Sequence, residues 1–106
     1  YTPVERLYNF CLNDGAKILL HDPYVKFWEE LGISISNNLN QILNSHTDIL
    51  VLSTSHYEYK NSSQLIDTLL SKSKMMIYDT VGVLSESDIK ILSSKHILKV
   101  LGRGDL

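Results

Sequence analysis

The chain predicts a three-layer α/β domain, a mostly parallel sheet with helices on both faces. Three observations predict it. Strand and helix signals alternate along the 106 residues. Four short apolar runs, Lys17–His21, Asp48–Ser53, Met75–Tyr78 and Ile97–Leu101, have strand length. Helical segments stand between them, long enough to serve as crossover connections. Each run leads directly into a small polar or glycine cluster: Asp22-Pro23-Tyr24, Thr54-Ser55-His56, Asp79-Thr80-Val81-Gly82 and Gly102-Arg103-Gly104. Parallel strands set all four clusters along one edge of one sheet. Open α/β sheets bind small ligands at that carboxyl edge.

Taken in order, Thr2-Pro3-Val4-Glu5 reads as a capping box with proline at the first helical position. The helical period continues through Val4, Leu7, Tyr8 and Cys11, and Asp14-Gly15 stops it at a C-terminal glycine. Lys17–His21 is the first strand. Tyr24, Phe27, Trp28 and Leu31 repeat at i, i+3, i+4, i+7 and predict a second helix that stops at Gly32. Ile33 and Ile35 alternate too briefly to assign. Leu39, Ile42 and Leu43 mark a short helix. Asp48–Ser53 is almost continuously apolar, as a strand covered on both faces requires. Leu65, Ile66, Leu69 and Leu70 predict the fourth helix, and Met75–Tyr78 the third strand. Ser85-Glu86-Ser87-Asp88 resembles a capping box ahead of Ile89 and Leu92, and Ile97–Leu101 closes the sheet.

Composition bounds the function. One domain of this length buries roughly two-thirds of its unfolded surface without metal or disulfide staples. Hydrophobic content of 43% and charged content of 21% argue against disorder. A net charge of −2 without a basic run leaves no electrostatic footprint for nucleic acid. No apolar stretch approaches the roughly 20 residues that span a bilayer, and no signal peptide is visible. Cys11 is the single cysteine, so no internal disulfide forms, which fits a reducing cytoplasm. The chain opens at Tyr1, straight into a helix signal, and stops soon after the last strand. It reads as a piece of a longer protein.

Candidate chemistries fall away one by one. Cys11 shares the apolar face of the first helix with Val4, Leu7 and Tyr8, the setting of a small core hydrophobe rather than a nucleophile. His56-Tyr57-Glu58 matches the first half of a zinc deaminase signature, but the P-C-x-x-C half is absent. His21, His46 and His96 have no spacing that gathers metal ligands, so no metal site is expected. His21 and Asp22 at the end of the first strand stand where they can face a ligand, although a turn-forming Asp22-Pro23 is the plainer reading. No serine sits in G-x-S-x-G, and no glycine loop matches a P-loop or a dinucleotide fingerprint. Arg103-Gly104-Asp105 spells an adhesion tripeptide, which at three residues is coincidence. What survives is the sheet edge. Helix N-termini there attract anions, Thr54, Ser55, Thr80 and Ser85 add hydroxyls, and Arg103 adds a phosphate partner.

The wording of the clusters carries a resemblance. Thr2-Pro3-Val4-Glu5, Gly15-Ala16-Lys17 and His21-Asp22-Pro23-Tyr24-Val25 resemble the start of the C-terminal, UDP-binding domain of the UDP-glucose/GDP-mannose dehydrogenase family. Downstream, Asp48-Ile49-Leu50-Val51-Leu52 resembles the family's A-D-x-hydrophobic strand. Ser53-Thr54-Ser55-His56-Tyr57-Glu58 resembles its T-x-H-x-E/F turn. Asp79-Thr80-Val81-Gly82-Val83 resembles its D-[GT]-R-[NG] segment, in the form of the UDP-N-acetylmannosamine branch. Leu101-Gly102-Arg103-Gly104 resembles its closing G-x-G-[KR]-G. The match runs in order over nearly the whole chain.

The resemblance implies a Rossmann-like fold and a fragment of a cytoplasmic, homo-oligomeric enzyme that oxidises C6 of a nucleotide sugar to the uronic acid with NAD. NAD and the catalytic cysteine then belong to an N-terminal domain of the same protein, and this chain binds neither cofactor nor metal. By itself it holds the UDP moiety and catalyses nothing. The substrate-binding residues so implied are Thr54, His56, Thr80, Val81, Gly82 and Arg103, with Asp79 orienting the turn. One departure matters: the family's arginine in D-T-R-G is Val81 here, which cannot make a bidentate, charge-assisted phosphate contact. Either Arg103 compensates or the substrate differs. The alternative is a stand-alone, non-enzymatic α/β module whose sheet edge serves protein partners. A phospho-receiver domain is discarded, because Asp22 stands without an acidic neighbour and no lysine follows the last strand.

Overall fold

A computed structural model describes residues 3–22, 24–29, 32–54, 56–60 and 62–105. The chain forms two compact units, Tyr1–Asn44 and Ser45–Leu106. Thr2, Pro23, Leu31 and Ser55, which carry parts of the capping box, the first turn, the second helix and the edge cluster expected above, lie outside the described residues.

In the first unit, helix α1 spans Pro3–Asn13. It ends as the Asp14-Gly15 signal predicts: Gly15 N donates to Leu12 O and Ala16 N donates to Cys11 O, a Schellman closure. Gly15 holds φ +87°, a conformation any side chain would strain. Cys11 is free and half-buried on this helix.

The next two elements differ from the sequence reading. Lys17–His21 forms no strand of the parallel sheet. Its backbone finds one parallel bridge, His21 to Ser36, flanked by Asp22 N to Ser36 O and Ser36 N to Leu20 O. The expected helix around Tyr24–Leu31 is instead a hairpin: β1, Phe27–Trp28, pairs antiparallel with β2, Ile33–Ser34. The Asp22 carboxylate accepts from Tyr24 N and Val25 N as an N-cap would, but among the described residues no helix continues from that turn, and strand propensity decides the segment. Phe27, Trp28 and Ile33 are strand formers, and the Trp28 ring meets Tyr8 of α1 edge-on at 5.8 Å between centroids. Helix α2, Leu39–Leu43, follows as expected, capped by Asn38.

The second unit is the β–α–β–α–β run that the alternation predicts. Strand β3 is Ile49–Leu52, helix α3 Ser63–Ser71, strand β4 Met76–Asp79, helix α4 Glu86–Ser93 and strand β5 Ile97–Val100. All three strands are parallel, in the order β3-β4-β5. A parallel sheet with helical crossovers places the chain in the α/β, Rossmann-like class. Helix α3 packs on α4, and α4 packs on β5. The core is built from Leu52, Ile77, Leu98 and Val100 of the strands with Leu65, Ile66, Leu69, Ile89 and Leu92 of the helices, all buried.

His96 is part of that core, 4% exposed. Its Nδ1 accepts from Met75 N at 3.1 Å, so the ring hydrogen resides on Nε2 and is donated to Leu69 O at 2.6 Å. The imidazole thus ties the end of α3 to the entrance of β4. Its role is structural.

Candidate functional site at the carboxyl edge of the sheet

Register aligns the strand ends. Leu52 lies beside Asp79, and Asp79 beside Val100. Hydrogen bonding continues one residue past the strands, with Thr80 N donating to Leu52 O and Leu101 N to Asp79 O. The segments after β3, β4 and β5 therefore share one edge, and with them Thr54, His56, Asp79, Thr80, Val81, Gly82 and Arg103. The Asp22 cluster follows no strand of this sheet, and its carboxylate serves the turn described above.

Asp79 organises the middle of the edge. It is wholly buried, and its two carboxylate oxygens accept four backbone hydrogen bonds. Oδ1 takes those of Val81 (3.1 Å), Gly82 (2.9 Å) and Val83 (3.2 Å), and Oδ2 takes that of Leu84 (3.0 Å). A carboxylate removed from water requires such donors, and here every one comes from the loop that follows it. Gly82 turns with φ +70°, the left-handed conformation that lets three successive amides converge on one oxygen. The outcome is a rigid loop with Val81 and Gly82 exposed at its tip and Val83 and Leu84 buried beneath. Thr80 is also committed, since its hydroxyl donates to Leu52 O at 2.8 Å.

On the β3 side, Thr54 is half-buried and His56 precedes a 3₁₀ turn, Tyr57–Tyr59. The His56 ring lies 5.8 Å from the ring of buried Tyr59, while Tyr57 is 83% exposed. On the β5 side, Arg103 N donates to Val100 O, folding the chain back at the strand end. The guanidinium is engaged by two carboxylates. Nε and Nη2 meet both oxygens of Asp105 at 2.8 Å, and Nη1 meets Glu86 Oε1 at 2.7 Å. The hydrogen bonds from Arg103 hold the Asp105 carboxyl at about 2, below its ordinary 3.8, and the same pairing raises Arg103. Because the folded value is the lower one, what Asp105 contributes to stability is present above about pH 4 and is lost as pH falls through 2.

Sequence reasoning missed these partners. Asp105 is two residues from Arg103 and was legible as a neighbour, whereas Glu86 is 17 residues away and only the sheet brings it near. Glu86 opens α4, whose N-cap Ser85 accepts from Asp88 N at 3.2 Å, as the capping box predicts. The histidines stay dispersed, His46 pairing with Asp48 and His96 buried in the core. Among the described residues no three histidine, cysteine or acidic side chains gather as metal ligands, and no helix is long and apolar enough to cross a membrane.

One family model matches the sequence: the UDP binding domain of the UDP-glucose/GDP-mannose dehydrogenase family, over residues 1–86. The match covers both the Asp79 loop and Glu86, and stops short of Arg103. No curated protein and no solved structure matches the chain. Since the matched span is most of the sequence, the chain belongs to the UDP-glucose/GDP-mannose dehydrogenase family, in its UDP binding domain.

Proposed function

We propose that this chain holds the UDP moiety of a nucleotide sugar within a cytoplasmic, homo-oligomeric, NAD-dependent dehydrogenase that oxidises C6 of the sugar to the uronic acid. The N-acetylmannosamine form of the substrate is favoured by Asp79-Thr80 in the D-T-x-G arrangement, and polysaccharide biosynthesis is the setting this suggests. The observation that carries the reading is the Asp79-organised loop, which stands at the carboxyl end of the central strand within the matched span. Ligands of open α/β sheets gather at such edges, and a loop fixed by four hydrogen bonds presents its exposed tip without an ordering cost at binding.

The turns after β3 and β4 read Ser53-Thr54 and Asp79-Thr80-Val81-Gly82, so these residues do not fit the glycine fingerprint that cradles a dinucleotide. NAD and the catalytic cysteine are assigned in this reading to an N-terminal domain of the same protein. The present chain then supplies nucleotide contacts from Thr54, His56, Thr80, Val81, Gly82 and Arg103, with Asp79 as the residue that shapes the loop, and no catalytic group of its own.

Amide NMR of the 106-residue chain titrated with UDP tests this directly. The expected result is a saturable set of shifts centred on residues 79–84 and 101–104. If millimolar UDP leaves those amides unmoved, the nucleotide reading fails and the partner-binding module takes its place.

A further inference from the structure

Arg103 and its partners differ in how they are held. The Arg103 side chain is 32% exposed, whereas Glu86 and Asp105 are 79% and 63% exposed. The cation is therefore seated against the protein and its carboxylates stand on the outside. Ion pairs on so open a surface are weak and salt-screened, and cheap to exchange. Three of the five guanidinium N–H groups point at these carboxylates, in the forked geometry that also suits phosphate oxygens. The two carboxylates come from different elements, Glu86 from the first turn of α4 and Asp105 from the segment after β5. Both converge on the edge that carries the Asp79 loop.

We propose that Arg103 is the anion-reading cation of this edge, and that Glu86 and Asp105 form a carboxylate clamp which a diphosphate displaces in order to bind. The inference rests on the nucleotide reading for its natural ligand, though its chemistry requires only a diphosphate. The clamp keeps the guanidinium oriented in the free protein and neutralises it against stray monoanions. A diphosphate presents several charged oxygens at once and exchanges with both carboxylates, so the clamp raises the threshold for binding and favours multiply charged ligands. Affinity at this edge is then lowered by two residues that never touch the ligand.

The test uses inorganic pyrophosphate and, separately, UDP, with binding followed by calorimetry and amide NMR at low ionic strength. The variants are E86Q, D105N, the double variant E86Q/D105N, R103Q, and the triple variant. Each carboxamide substitution is expected to tighten pyrophosphate about threefold, the size of an exposed ion-pair effect, and the double variant about tenfold. R103Q is expected to weaken binding, and in the triple variant the gain disappears. Core amides of Ile77 and Leu98 at wild-type positions establish that each variant is folded. Unchanged affinity in E86Q/D105N overturns the clamp. A gain that persists in the triple variant also overturns it, because the effect is then one of net charge. The two ligands separate the two ideas. If pyrophosphate tightens while UDP leaves residues 79–84 unmoved, the clamp stands and the nucleotide reading falls. If UDP binds while the carboxamide variants match wild type, the nucleotide reading stands and the clamp falls.

Discussion

At the scale of single residues, Asp79 and His96 solve the same problem with opposite chemistry. Each is a buried polar side chain, and each is tolerated because main-chain groups surround it. His96 matches one donor and one acceptor with its two ring nitrogens. Asp79 offers only acceptors and is matched only by donors, four of them. Asp79→Asn keeps the shape but offers one acceptor oxygen, so an amide NH₂ must face either Leu84 N or the three amides before it. Loss of charge-assisted bonds and exposure of a buried donor to the wrong partner should cost about 2–3 kcal/mol. Urea unfolding checks it, with a lower midpoint at constant slope expected. A change below about 0.5 kcal/mol would show that the loop does not depend on the carboxylate. Part of this was legible in advance. The polar and glycine cluster after the apolar run was legible as a turn, and the family resemblance implied Asp79 as its orienter, but its burial and its fourth donor come only with the folded sheet, where Asp79 lies beside Val100.

At the scale of elements, the sequence is most readable where local signals agree with one another. Helices α3 and α4 carry serine caps, Ser62 and Ser85, each accepting from the amide three residues on, ahead of an apolar stripe that is buried. Capping, period and packing all favour the same ends there. Around Tyr24–Leu31 they conflict: the aromatic spacing is helical and Asp22 holds an N-cap-like turn, yet Phe27, Trp28 and Ile33 favour strands and pair as β1 and β2. Lys17–His21 fails for another reason, since strand character is realised only with a partner and its one bridge is to Ser36. The Ser85 cap has an additional consequence, because it directly follows Leu84, the last amide held by Asp79. Ser85→Ala should destabilise the protein by about 1 kcal/mol, the usual worth of an N-cap. Unlike Ser62→Ala, of similar cost, it should also broaden or shift the amides of residues 82–84. Equal effects of both variants on that loop would mean that α4 and the Asp79 turn are not coupled.

At the scale of the whole molecule, burial is distributed unequally between the two units. The buried apolar residues Leu52, Leu65, Leu69, Ile77, Leu92 and Leu98 all belong to Ser45–Leu106, together with Asp79 and His96. In Tyr1–Asn44, Leu43 is the one buried apolar side chain among the described residues, while Leu7, Phe10 and Leu12 of α1 are exposed. Free energy of local opening follows buried apolar contact, since little is lost when a thinly covered segment detaches. Amides of β4 and β5 should therefore exchange with solvent only through global unfolding, and their protection should fall in parallel with stability as urea is added. Amides of α1 and of the β1–β2 hairpin should exchange through smaller openings that urea hardly changes. Native-state hydrogen exchange resolves the two classes residue by residue. If α1 amides prove as protected as Ile77 and Leu98 and share their urea dependence, the chain unfolds as a single cooperative body and the division into two units has no energetic meaning.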